Sequence, residues 1–187
     1  MTRLLIGVTG SFWVLQLPTF LLTLREHFSE IKMIMTHSAT QFIPKKSLEV
    51  FCDGIYTSEF PLSKSNMIHI DLARWTQLMA VIPASAHVLS QAANGLADTL
   101  LSTTILSYKK KIIFFPNMNS AMWKNKALGR NVARLEEDGH LVIHPLEKPA
   151  FEYASKQIEI NHVMPSIESI LSILKLQEEI GDPVLSD

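Results

Sequence analysis

The sequence predicts an α/β fold, a doubly wound parallel sheet of the Rossmann or flavodoxin-like kind with helices on both faces, in a single domain spanning 1–187. Three observations predict it. Short apolar runs alternate with longer helical patterns, the order expected of parallel strands joined by crossover helices. The runs are almost uniformly apolar rather than alternating, as strands covered on both faces are. A chain of 187 residues, 47% hydrophobic and 19% charged, is long enough for one well-filled core and short for two.

Taken in order, Leu4–Val8 reads as the first strand, and a helical pattern runs from about Phe12 to His27. No formal charge falls between Arg3 and Arg25, yet Gly7, Gly10 and Pro18 interrupt the apolar stretch, and it ends without a small-residue cleavage pattern. A buried strand–turn–helix accounts for it better than a signal or a membrane span. Ile31–Met35 is the second strand and Lys46–Phe51 a short helix. Leu78–Ile82, a helix over Val88–Leu106, Ile112–Phe115, a helix over Ala121–Asp138 and Leu141–Ile143 continue the alternation. Ser58–Ile68 has the Ser, Pro and Asn of a long loop, and His144–Pro165 has three prolines and no clean periodicity. A last helix is expected at Ser166–Glu179, followed by a frayed tail over 181–187.

Seventeen basic against eighteen acidic side chains give no electrostatic case for a nucleic-acid partner. Lys109–Lys111 reads as a solvated turn before a strand. The single cysteine, Cys52, cannot form an internal disulfide, so nothing indicates an oxidising compartment and a cytoplasmic location is expected, with no membrane partner and no metal site. Its neighbour Phe51 suggests a small buried thiol rather than a nucleophile.

Two loops stand out. Pro83-Ala-Ser-Ala-His-Val88 and Pro116-Asn-Met-Asn-Ser-Ala-Met-Trp123 each follow an apolar run and open a helix, where an α/β sheet presents its ligand site. Their small and amide side chains suit a flat, polar-edged ligand or a carboxylate. Gly7-Val-Thr-Gly-Ser11 and Thr36-His-Ser38 are hydroxyl-bearing turns after the first two strands, and they serve equally as tight β–α turns or as a phosphate cradle. Asn119 can donate two hydrogen bonds to a carboxylate or cap a helix. His69 stands near a helix start, either as a surface histidine or as a proton acceptor. Asn94 and Asp98 are expected on one face of the helix after the first loop, pinning a ligand edge or a neighbouring subunit.

These two loops, with His69-Ile-Asp-Leu72 and Ala93-Asn-Gly-Leu-Ala-Asp98, resemble the homo-oligomeric flavin-containing Cys decarboxylases, in particular the lantibiotic-type peptidyl-cysteine decarboxylases, over about Leu4–Pro165. Their loops read Pro-Ala-Ser-Ala-Asn-Thr and Pro-x-Met-Asn-x-x-Met-Trp, and this chain departs from them at His87 and Val88. The resemblance implies FMN as cofactor, its phosphate and ribityl chain at Gly10, Ser11, Thr36 and Ser38 beside Phe42. Its ring would lie along Pro83, Ala84, Ser85, Ala86 and His87, with Asn94 and Asp98 at its edge. His69 is implied as the base that deprotonates a substrate cysteine, and Asn119 as the anchor of its carboxylate. Trp13, Asn117, Met118 and Met122 would line the peptide site, and the segment 144–165, with Phe151, Met164 and Pro165, would close over it as a clamp. Relatives carry glycines before the Met-Pro pair, whereas this chain has none from Pro145 to Pro165.

The reaction so implied is oxidative decarboxylation of the C-terminal cysteine of a ribosomally made precursor peptide. A hydride leaves Cβ for the flavin, and the thioaldehyde loses carbon dioxide to leave an aminoenethiol of the kind used in S-aminovinyl-cysteine rings. A homo-oligomer is expected, of trimers and in all a dodecamer, with the flavin at a subunit contact. The alternatives are a phosphopantothenoylcysteine decarboxylase, whose C-terminal cysteine this chain lacks, and a non-catalytic flavin-binding regulator of the same fold.

Overall fold

The computed structural model describes residues 2–57, 67–152 and 156–181. Six parallel strands, β1 (Arg3–Val8), β2 (Glu30–Met35), β3 (Gly54–Thr57), β4 (Leu78–Ala84), β5 (Ile112–Pro116) and β6 (Leu141–Val142), form one sheet in the order β3-β2-β1-β4-β5-β6. That is the Rossmann order, in which the direction of winding reverses between β1 and β4. Side chains alternate along each strand between two apolar layers. Leu4, Ile6 and Val8 face one layer with α1 (Leu17–Arg25) and α8 (Ile167–Ile180). Leu5 faces the other with α3 (Ile68–Trp75), α4 (Ala86–Ala93), α5 (Leu100–Ser107) and α7 (Lys126–Glu137). Gly7 points into that second layer, where a Cβ would stand 2.6 Å from Leu101 Cδ1, so glycine there sets how closely α5 lies on the sheet. The Ile82–Pro83 peptide is cis.

Several elements differ from the sequence expectation. The helix expected over Val88–Leu106 is two: α4 ends at Asn94 and Gly95, the latter at φ 64°, and Thr99 starts α5 through a reciprocal capping box with Ser102. The helix expected from Phe12 begins as a 3-10 turn, Phe12–Gln16, ahead of Pro18. That expected from Ala121 divides into α6 (Ser120–Trp123) and α7, which Asn125 caps. Lys46–Phe51 holds only a 3-10 turn at Lys45–Ser47, preceded by the short helix α2 (His37–Thr40) and followed by β3, whose four residues are too few to show a period. The segment read as irregular contains a hairpin, β7 (Leu146–Glu152) paired with β8 (Gln157–Val163). It has no apolar stripe because Glu147, Lys148, Ile158 and Ile160 are all exposed. Most of the expected 58–68 loop and of the 181–187 tail, and residues 153–155 of the expected clamp, lie outside the described residues. No described helix is long and apolar enough to cross a membrane.

One polar contact fixes how β2 begins. Asp53 accepts from the Ile31 N–H at 2.7 Å and from both terminal nitrogens of Arg25 at 2.8 and 3.0 Å. Partial burial pushes its carboxyl up, but the hydrogen bonds from Arg25 and Ile31 outweigh this and hold it below the ordinary value. A depressed carboxyl contributes stability above its unfolded value and loses it as the pH falls through the folded one. Asp53→Asn should therefore cost about 1 kcal/mol near neutral pH, the pair being a third exposed. In urea denaturation the gap from wild type should narrow as the pH drops below about 4.

Candidate functional site

The reversal between β1 and β4 leaves a crevice at the carboxyl ends of the strands, and the sequence fills its rim with hydroxyls and amides. Buried Thr9 ties the two strand ends together: its hydroxyl donates to Pro83 O at 2.8 Å and accepts from the Ser85 N–H at 2.8 Å. Gly10 follows. A Cβ at Gly10 would stand 2.4 Å from Ser38 Cβ, so the glycine lets the turn after β1 meet the turn after β2. Thr36 caps α2, its hydroxyl accepting from the Ala39 N–H at 3.3 Å, and Phe42 meets Phe12 edge to face at 6.2 Å. Ser85 caps α4 through the Val88 N–H at 3.4 Å.

The resulting cleft of about 520 Å³ is within the usual size for a cofactor site. Its walls are Gly10, Ser11, Trp13 and Gln16 from β1 onward, Ser85 and Ala86, then Asn117, Met118, Asn119 and Met122, with Phe151, Glu152, Asn161 and His162 of the hairpin closing one side. Asn119 caps α6: its Oδ1 accepts from the Met122 N–H at 2.9 Å. The Ser11 hydroxyl donates to Asn117 Oδ1, and the Asn117 N–H bonds to Ala84 O at 3.0 Å. Both amide oxygens are thus satisfied within the protein. The amide NH₂ groups of two lining asparagines are left to donate, so the cleft favours a ligand rich in acceptors.

Of the predicted site residues, Gly10, Ser11, Trp13, Ser85, Ala86, Asn117, Met118, Asn119, Met122 and Phe151 come together around this cleft. Thr36, Ser38 and Phe42 adjoin it through Gly10 and Phe12, and Pro83 and Ala84 are buried in β4 beneath it. The others lie elsewhere in the single chain. His87 is exposed on the first turn of α4. Asn94 and Asp98 do not share a helix face, since α4 has already ended: Asn94 bonds to Ser90 O and Arg134, and Asp98 to Gln91 and Ser102. Met164 is buried in the α1/α8 layer and Pro165 follows it, so the pair anchors the end of the hairpin instead of lining the cleft. His69 stands on the first turn of α3 outside the cleft, its Nδ1 buried and without a partner among the described residues. No group of three or more His, Cys, Asp or Glu side chains able to hold a metal comes together among the described residues.

Sequence reasoning missed Thr9, Gln16, Asn161 and His162. Thr9 was visible only as part of a turn, and the hairpin residues carry no spacing that marks them.

A doubly wound sheet with a donor-rich crevice at its switch point defines a class of nucleotide- and flavin-binding α/β domains. Residues 1–176 match the Flavoprotein family, and the chain belongs to it. Mersacidin decarboxylase of Bacillus sp. (strain HIL-Y85/54728) is 40% identical over 153 residues, 82% of this chain and 78% of that protein. Epidermin decarboxylase of Staphylococcus epidermidis is 32% identical over 177 residues, 95% of this chain and 96% of that one. A solved EpiD variant complexed with the substrate peptide DSYTC superposes with a TM-score of 0.85 at 33% identity, covering 92% of this chain and 98% of its own.

The Gly10–Ser38 contact makes a direct prediction. Gly10→Val should overpack the two turns at a cost of about 1–3 kcal/mol. The sheet should survive, as judged by far-UV circular dichroism, while flavin absorbance per protein falls severalfold.

Proposed function

We propose that the protein is an FMN-dependent decarboxylase that oxidatively decarboxylates the C-terminal cysteine of a precursor peptide, leaving an aminoenethiol. The observation that carries this reading is the pair of strand-end asparagines, Asn117 and Asn119, which line one cleft with their oxygens held by the protein. A terminal carboxylate needs such an arrangement of donors, and of the relatives described above two are named decarboxylases and one is solved with a substrate peptide that ends in cysteine.

The residues present fit a flavin mononucleotide. The close approach of Gly10 to Ser38, which a Cβ would block, puts hydroxyl-bearing turns side by side for a phosphate and ribityl chain. Ser85, Ala86 and Trp13 offer small and apolar surface for a flat ring. When bound, FMN supplies the two-electron oxidation that no side chain here can perform. Asn119 holds the peptide's carboxylate, and Asn117 orients it from the other side of the loop. Phe151 and the hairpin exclude water from the cleft. His69, with an unpartnered Nδ1, takes the substrate proton.

His69 lies outside the cleft of its own chain, so it serves a cleft built with a second copy. Exposed Phe12, Leu15 and Phe42 beside the Gly10 turn supply an apolar rim for that copy. A closed homo-oligomer of trimers, a dodecamer in all, places FMN at this contact. The reading assigns the enzyme to the cytoplasm, where the precursor peptide is made. The phosphopantothenoylcysteine decarboxylase alternative calls for a C-terminal cysteine, whereas the one cysteine here, Cys52, is buried in the α1 layer away from the cleft.

Four measurements test the proposal. Denatured protein should release FMN and no FAD on chromatography. His69→Asn and Asn119→Ala should each keep FMN yet lower turnover of cysteine-ending peptides by at least about a hundredfold. Wild-type product should be lighter by one carbon dioxide and two hydrogens in mass spectra; loss of carbon dioxide alone would favour the phosphopantothenoylcysteine decarboxylase reading. Light scattering should give a multimer, and a flavin-loaded monomer would overturn the shared-site arrangement.

A further inference from the structure

The hairpin side of the cleft contains a buried histidine held by polar groups from two directions. His162, on β8, is 8% exposed and lines the cleft. Its Nδ1 is 2.8 Å from Ser120 Oγ and its Nε2 3.3 Å from Glu147 Oε1. The His162 backbone N–H donates to the same Ser120 Oγ at 3.2 Å, and that oxygen is 3.0 Å from Asn161 Oδ1. Ser120 directly follows Asn119 and is the first residue of α6. Whatever holds Ser120 therefore holds the turn that aims Asn119.

Counting protons ties the ring's charge to the orientation of the Asn161 amide. Ser120 has one hydroxyl proton. Given to Asn161 Oδ1, it leaves Oγ to accept from the His162 backbone N–H and from Nδ1, which must then carry a proton. Glu147 is held below the ordinary carboxylate value by the Lys124 ammonium at 3.0 Å and by His162, so it accepts from Nε2. In that arrangement both ring nitrogens donate, which only an imidazolium can do. A neutral ring keeps both contacts only if the Asn161 amide turns over to donate to Ser120. The charged and titratable neighbours are Glu147 and Lys124 in direct line, Glu152 on the same cleft wall, and His144, paired with Glu136 at 3.0 Å and separated by the Trp123 ring.

We propose that His162 is a positioning residue for the substrate carboxylate: as an imidazolium bridging Glu147 and Ser120, it locks the Asn119 turn to the hairpin and so sets affinity for the peptide's free C-terminus. This rests on the peptidyl-cysteine reading of the same cleft. Loss of the ring proton loosens Asn119 without touching a reacting atom, so it acts on KM and leaves kcat nearly alone.

The test uses FMN-loaded protein, the peptide DSYTC and its C-terminal amide, with initial rates and calorimetric binding between about pH 5 and 8, where an imidazole changes charge. Wild type should bind the acid about tenfold more tightly than the amide at the low end, and its KM should rise severalfold toward the high end. His162→Gln should show the high-pH KM at every pH and lose most of the acid preference, with flavin content retained. Ser120→Ala should do the same, and it decides the matter together with the wild-type slope if His162→Gln does not fold. A His162→Gln enzyme with the wild-type slope and preference overturns this inference alone. A wild type that neither turns over nor prefers the acid overturns it together with the peptidyl-cysteine reading.

Discussion

The site depends on one buried hydroxyl. Where the sheet reverses its winding, β1 and β4 run side by side and their chains leave in opposite directions, which opens the crevice and also exposes backbone groups at its floor. Thr9 satisfies them from the side: it accepts from the Ser85 N–H and donates to Pro83 O, while its own N–H bonds to the same carbonyl at 3.2 Å. A valine of the same shape would leave the Ser85 N–H without its partner and Pro83 O with only the backbone N–H of residue 9. The turns bearing Gly10 and Ser85 keep their spacing because this residue joins them, and the Asn117 N–H bond to Ala84 O extends the connection to the next strand.

From that floor upward, the cleft is assembled from helix caps. Thr36, Ser85 and Asn119 each satisfy the first turn of the helix they precede, and each is thereby held in one rotamer at the cleft rim. Local folding and ligand geometry are thus set by the same bonds. The hairpin differs. A two-stranded ribbon is marginal alone in water, and this one draws order from Ser120, Lys124 and Trp123 on and beside α6.

Much of this was legible in the sequence. Five of the six strands of the main sheet announce themselves as apolar runs, and the two Pro-led loops fall where the topology brings adjacent strand ends together. The dual service of Asn119, as cap and as donor, is visible in its position just before a helix. What stayed hidden had physical reasons. Gly95 breaks a helix that composition alone would continue, β3 is too short for a period, and β7–β8 exposes both faces and so lacks one. The partners of His162 are 15 and 42 residues away in sequence, at Glu147 and Ser120, contacts that no spacing rule anticipates. Asn94 and Asp98 share no helix face, because the chain turns between them at Gly95.

Cys52 has a quieter consequence. Its thiol is buried against α1, donates to Leu48 O at 3.3 Å and is pushed up by burial to about 11. At such a value almost none of it is thiolate at neutral pH, and thiolate is the form that attacks disulfides, alkylators and oxidants. A protein built to work on cysteine thus keeps its own sulfur chemically silent. It has no thiol with which to trap a substrate as a mixed disulfide, and an alkylating reagent added to a reaction would count the peptide's sulfur and its enethiol product without interference from the enzyme.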